Sequence, residues 1–148
     1  MPVAEPELSS RPHGFAVERA MVASQVATYV TWTEQFDRWF AEPGSVLMTP
    51  EVDAPFFFET EFNGARHPHY GRFLRLEPHS HVVMTWVTGA AGTEGAETVV
   101  TVELSPSETG THLRLRHDGF ASTAARDQHR EAWPLVLAQL DQRISGDR

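Results

Sequence analysis

The Asn63-Gly64 pair constrains the fold of this sequence more than any other feature. It stands between two runs typical of strands, FFFETEF before it and ARHPHYGRF after it. Asn-Gly between such runs is the strongest short-range signal for a two-residue hairpin, since both residues tolerate the positive φ angles that this turn requires. A two-residue turn fixes the register, with Phe58 facing His69 and Phe56 facing Gly71. The sequence therefore predicts an antiparallel sheet.

Five further segments show the alternation of half-buried strands, at residues 15–22, 46–52, 81–87, 98–106 and 110–120, although Pro50 weakens the second. A four-residue loop after Leu76 would place Leu76 opposite His81. The last two strands would pair Glu103 with His112 and Thr101 with Arg114 on their solvated face. The inner face would then carry one row across the sheet, made of Phe56, Gly71, Trp86, Thr98 and His117.

Two short helices follow the first strand, and one long helix ends the sequence. Ser24 is a suitable N-cap for a helix to about Trp32, and EQFDRWF, residues 34–40, predicts the second. The C-terminal helix starts near Ser122 or Thr123, and Pro134 should kink it or delay its start. Its apolar stripe is Trp133, Val136, Leu137, Leu140 and Ile144. The order predicts an α+β fold in which a curved antiparallel sheet of about six to seven strands wraps around the long helix.

Composition excludes several classes of function. With 148 residues the chain suits one domain, predicted over residues 14–146 after a disordered leader at residues 1–13. A net charge of −8 argues against nucleic acid and against anionic membrane surfaces as partners. Absence of cysteine excludes disulfides and thiolate chemistry and suits a cytoplasmic location. The sequence leaves a homodimer open.

Two His-x-His motifs, at His67/His69 and His79/His81, raise the question of a metal site. In the predicted hairpin, about seven residues of strand separate His69 from Leu76, or roughly 23 Å. Because a zinc–nitrogen bond is only about 2 Å long, one ion cannot join the two motifs. His117 is three strands from His69, on the order of 14 Å away. We therefore predict no metal site and no cofactor.

Several longer motifs carry a resemblance to a known family. They are RAMVASQVATYVTWTEQFDRWF at 19–40, GRFLRLEPHSHVVMTW at 71–86, TVELSPSETGTHLRLRHDGF at 101–120 and HREAWPLVL at 129–137. Together with the order of elements they resemble the START/Bet v 1-like (SRPBCC) superfamily, whose members have the helix-grip fold. Within it the sequence is similar to the family named for the activator of heat shock protein 90 ATPase, the AHSA1-like domains.

The resemblance implies a cavity between the sheet and the C-terminal helix that binds a hydrophobic or aromatic small molecule. The residues predicted to line it are Trp32, Phe56, Phe58, His69, Gly71, Phe73, Met84, Trp86, His117 and Trp133. The alternative interpretation is that the same side chains fill the core at ordinary packing density. Gly71, opposite Trp86, is expected to make room for that indole.

Two other functions stay open. The family name suggests a modulator of a heat shock protein 90-type chaperone ATPase. Some members of the superfamily, such as polyketide cyclases, are enzymes with few polar groups in an apolar cavity. For a cyclase-like or hydrolytic reaction, His117 is the candidate base, with His69 and Asp118 behind it. The sequence contains none of the usual nucleophile, zinc-protease or phosphate-loop motifs.

Overall fold

The computed structural model describes residues 5–89 and 92–145, without the side chains of Phe62 and Ser145. It is an α+β fold with six antiparallel strands and one long C-terminal helix, as predicted. In chain order the elements are β1 (His13–Met21), α1 (Gln25–Thr33), a 3-10 turn (Phe36–Arg38), β2 (Pro55–Phe62), β3 (Ala65–Glu77), β4 (His81–Trp86), β5 (Thr98–Pro106), β6 (Thr111–Phe120) and α2 (Thr123–Ser145). The strand order across the sheet is β1-β6-β5-β4-β3-β2.

The β2–β3 hairpin has the predicted turn and register. Asn63 and Gly64 both have positive φ, 54° and 77°, which matches the twist of the flanking strands. Phe58 pairs with His69 and Phe56 with Gly71. The pairing stays regular through Pro68, so both hairpin predictions are confirmed.

The predicted register of β3 with β4 is wrong near the turn and right beyond it. Leu76 faces Val82 instead of His81, and the register shifts between Phe73 and Arg75. This irregularity restores the expected alignment, in which Phe73 faces Met84. An extra residue in one strand cannot be predicted from alternation alone, because a bulge interrupts the alternation.

The β5–β6 register differs from the prediction by two residues. Glu103 faces Arg114 and Thr101 faces Arg116, because the turn closes between Ser107 and Gly110. A shift of two residues keeps every side chain on its predicted face, since the period of a strand is two. The correction matters for His117, which lies opposite Val100 and not opposite Thr98.

Residues 46–52 do not form the predicted strand. Only Leu47 pairs, in an isolated bridge with Phe57. Pro50 has no N–H to donate, and Asp53 takes a left-handed conformation with φ 68°. The second predicted helix is likewise reduced to the 3-10 turn, in which Phe40 and Ala41 both donate to the Phe36 carbonyl.

The concave face of the sheet and the stripe of α2 form one hydrophobic core. Trp133, Leu137, Leu140 and Ile144 are buried, as the helical spacing predicted. Ser24 caps α1 by accepting from the Ala27 N–H. Helix α2 is continuous from Thr123 through Pro134, so the proline does not delay its start. Within the described ranges, no helix is long and apolar enough to cross a membrane.

The segment before β1 is held against the sheet at Arg11. Arg11 donates to the carbonyls of Gly119 and Glu97, each at 2.8 Å. A guanidinium that binds two carbonyls can hold a coil segment without regular structure. The first four residues lie outside the described part of the chain.

A buried carboxylate joins the two ends of the fold. Asp141 of α2 accepts from the backbone N–H of Val22 at 3.0 Å and of Ala23 at 3.4 Å, and it pairs with Arg19 at 3.3 Å. These N–H groups belong to the tight connection between β1 and α1, where no strand or helix partner is available. Nothing in the helical stripe predicted this contact, because it depends on the tertiary approach of residues far apart in sequence.

We expect Asp141→Ala to lower the free energy of unfolding by about 2 kcal/mol, since hydrogen bonds to a charged group are lost and two N–H groups are left unpaired. Urea unfolding measures this. The control is Asp127→Ala on the same helix, whose ion pairs with Arg126 and Arg130 are exposed and should contribute no more than about 0.5 kcal/mol. Equal losses in both variants would contradict the role given to Asp141.

A methyl group at residue 71 has no room. A Cβ there would overlap the carbonyl oxygen of Thr85 and the ring of Phe56. The absence of a side chain at Gly71 therefore makes room for the Phe56 ring and the Thr85 carbonyl. Gly71→Ala should destabilise the fold by about 1–3 kcal/mol, as overpacking does, in urea unfolding. Gly89→Ala, where a Cβ would meet nothing within 4 Å, should leave stability nearly unchanged; a similar loss there would contradict the steric explanation.

Candidate functional site

A small cavity lies between the sheet and α2. Its volume is about 160 Å³, and it is lined by Phe40, His69, Trp86, His129, Ala132, Trp133 and Val136. The sheet contributes His69 from β3 and Trp86 from β4. The helix contributes four residues at spacings of three and four, which share one face. Phe40 enters from the segment that follows the 3-10 turn.

Aromatic rings form most of the cavity wall. Phe40 and Trp86 stack at 25° with their centroids 6.0 Å apart. The centroids of Trp86 and Trp133 are 5.5 Å apart. Ring pairs at these separations gain interaction energy beyond the area that they bury. The wall is therefore rigid and apolar, with the two imidazoles as its polar part.

Three of the ten predicted site residues line this cavity, namely His69, Trp86 and Trp133. The other seven lie outside its lining. Six of these are buried in the surrounding core: Trp32, Phe56, Phe58, Phe73, Met84 and His117. Gly71 is half-buried beneath the Phe56 ring.

Rings from the 3-10 turn and from the residue after it fill space on the inner face of the sheet that the sequence analysis assigned to the cavity. Phe36 stacks on Phe58 with centroids 4.8 Å apart, and its centroid is 6.2 Å from that of Trp86. Trp39 packs against Trp32 at 4.8 Å and donates its indole N–H to the Thr31 carbonyl. Most of the inner residues therefore pack a core, and a small cavity lies at its edge.

His69 is held in one tautomer. Its Nδ1 lies 3.0 Å from the His67 carbonyl oxygen. Because a carbonyl only accepts, Nδ1 carries the proton and Nε2 carries the lone pair. Burial lowers the pKa of His69 to about 4, against the opposing effect of this hydrogen bond. His69 is therefore neutral at pH 7 and a weak base.

His129 is held in the same way from the helix. Its Nδ1 lies 2.8 Å from the Ala125 carbonyl oxygen, one turn earlier in α2. Burial lowers the pKa of His129 as well. The sequence prediction did not include it, although it lies four residues before Trp133 and so shares the face of that side chain. Extending the apolar stripe by one turn would have found it.

His117 joins the helix to the sheet through both ring nitrogens. The indole N–H of Trp133 donates to Nδ1 at 3.0 Å, and Nε2 lies 2.8 Å from the Thr98 hydroxyl oxygen. An indole can only donate, so the proton of the neutral ring is on Nε2, and Thr98 in turn donates to the Trp86 carbonyl.

This arrangement argues against His117 as a catalytic base. Its lone pair is occupied by Trp133, and the ring is fully buried. Burial lowers the pKa of His117 well below its ordinary value, and protonation of His129 would lower it further. Asp118, expected behind it, faces outward and pairs with Arg116.

A larger groove lies elsewhere on the molecule. Its volume is about 610 Å³, and it is lined by residues 22–27, Gly110 and Ile144. None of these residues is titratable, and the groove contains no pair of convergent polar side chains like the two imidazoles. Among the described residues, no group of three or more His, Cys, Asp or Glu is arranged to hold a metal ion.

The buried His69 and His117 and the half-buried His129 should make the fold sensitive to acid. Their pKa values are lower in the folded protein than in the unfolded chain, where about 6.5 is usual, so the unfolded chain binds more protons as the pH falls. Stability is then complete above about pH 6.5 and decreases toward pH 4.

Urea unfolding at pH 7.5 and pH 5.5 should show this decrease, and His69→Phe should reduce it. Leu104→Ala, a core change without a titratable group, should lower stability equally at both pH values; an unchanged pH dependence in His69→Phe would contradict the assignment.

Comparison with known proteins identifies the fold and the family. The family model described as activator of Hsp90 ATPase homolog 1-like protein matches residues 22–145. No curated protein matches the sequence.

Solved structures have the same fold at low identity. A protein from Chromobacterium violaceum superposes with a TM-score of 0.77 at 20% identity, over 90% of this chain and 99% of that one. One from Mesorhizobium loti gives 0.75 at 22%, over 92% and 99%. An AHSA1-like protein from Aeromonas hydrophila gives 0.68 at 17%, over 90% and 93%. Because the family model covers most of the chain, this protein belongs to the family of activator of Hsp90 ATPase homolog 1-like proteins.

Proposed function

We propose that this protein binds a hydrophobic or aromatic small molecule in the cavity between the sheet and α2. The observation that supports this is a space of about 160 Å³ walled by Phe40, Trp86 and Trp133. A concave apolar site with a few polar groups is the usual form of a small-molecule site.

The volume restricts the size of the ligand. A dry apolar cavity of about 150 Å³ is known to hold benzene, whereas pockets for drug-sized molecules have about 300–1,000 Å³. The ligand that suits this cavity is therefore about the size of one aromatic ring. Flat rings can stack on the indoles that form the wall.

The two other functions receive less support. The chaperone role comes from the description of the family alone, and no contact or cavity among the described residues favours it for this chain. An enzyme that uses His117 as base would require a lone pair that Trp133 already occupies. The cytoplasmic location and the homodimer stay predictions.

Toluene is a suitable first probe, with binding followed by the fluorescence of Trp86 and Trp133 or by chemical shifts. Val136→Phe places a ring at the cavity wall and should weaken toluene binding by at least about tenfold, a loss of about 1.4 kcal/mol. Leu135→Phe adds a ring at a neighbouring position of α2 that is 75% exposed and should bind like the wild type.

Failure of toluene, benzene and phenol alike to bind the wild type would overturn the proposed function. Binding that persists in Val136→Phe would move the site elsewhere. If toluene binding is lost in Val136→Phe, native mass spectrometry of the protein purified from its own cells would identify the molecule that occupies the cavity.

A further inference from the structure

The cavity is lined by two imidazoles that are held in the same tautomer by the same kind of hydrogen bond. His69 and His129 each donate Nδ1–H to a backbone carbonyl, at 3.0 Å to His67 and at 2.8 Å to Ala125. One ring comes from the sheet and the other from the helix. In both rings the remaining nitrogen, Nε2, has a lone pair and no proton.

These two nitrogens are available to a ligand. Within residues 5–89 and 92–145, neither Nε2 has a hydrogen-bond partner. The indole N–H of Trp133 is already used by His117. Both Nε2 acceptors thus receive no hydrogen bond from the protein, and a ligand that displaces water from them must supply a donor in its place.

The absence of charge in the cavity lining also restricts the kind of ligand that can bind. Its lining contains no carboxylate, lysine or arginine. Burial keeps both imidazoles neutral at pH 7, with the pKa of His69 lowered to about 4. A phenol-type hydroxyl has a pKa of about 10, like that of tyrosine. A hydroxyl of this kind therefore keeps its proton and donates a hydrogen bond, and no proton is transferred.

We propose that the ligand is an uncharged one-ring aromatic molecule with an O–H or N–H donor, which binds Nε2 of His69 or of His129. The inference rests on the proposed function and adds the polar half of recognition to it. An aromatic carboxylate is selected against, because its oxygens would meet lone pairs and no cation. A ring without a donor binds, but leaves the acceptors unsatisfied.

The test compares phenol, toluene and benzoate, which are similar in size and differ in the group on the ring. Dissociation constants are measured at pH 7.5 for the wild type and for His129→Leu, His69→Leu and His112→Leu. Phenol should bind the wild type about fivefold tighter than toluene, as one net hydrogen bond provides, and benzoate should bind weakest. His129→Leu or His69→Leu should abolish the preference for phenol, while His112→Leu, on the outer face of the sheet, should keep it.

A second measurement does not depend on the folding of variants. In ¹⁵N-labelled wild-type protein, phenol should shift the Nε2 resonance of His69 or His129 to lower frequency, and toluene should not. If phenol and toluene bind equally and no Nε2 resonance moves, the inference is overturned while the proposed function stands. Tighter binding of benzoate than of phenol would also overturn it. If none of the three probes binds, the proposed function fails with it.

Discussion

The fold depends on one line of hydrogen bonds that connects the C-terminal helix to the centre of the sheet. Trp133 donates to His117, His117 to Thr98, and Thr98 to the Trp86 carbonyl, so that α2, β6, β5 and β4 are joined in sequence. Both ring nitrogens of His117 have hydrogen-bond partners although the residue is fully buried. This line fixes the height of the helix above the sheet. The two indoles at its ends are also the walls of the cavity, so the same contacts that hold the helix set the shape of the space beside it.

Aromatic residues after α1 decide how much space is left. The 3-10 turn brings Phe36 and Trp39 into the concave face, where they pack against Phe58 and Trp32. These rings convert what could be a deep chamber into core, and they leave only the edge near Phe40 and His69 open. The chain has therefore gained packing energy at the expense of volume, and selectivity for small ligands follows from that exchange.

Local patterns predicted the architecture, whereas non-local packing decided the site. Asn63-Gly64 determined a hairpin register, and alternation placed Met84, Trp86 and His117 on the inner face. The bulge beside Phe73 and the turn after Pro106 were not predicted, because the alternation of polar and apolar residues does not reveal the residues that each of them adds. The cavity itself is a difference between the volume enclosed and the volume filled. That difference depends on where the rings of Phe36 and Phe40 settle, which no single segment encodes.

The contact of Asp141 with the connection between β1 and α1 has a consequence for the synthesis of this chain. Val22 is synthesised 119 residues before its partner Asp141, and β1 joins the sheet only by pairing with β6. Strand β1 therefore has no strand partner until β6 has been made. Contacts of such long sequence separation form late and slowly. The nascent protein exposes an apolar concave surface until β6 and α2 have been made, and in this interval, before any ligand can bind, it is prone to aggregate.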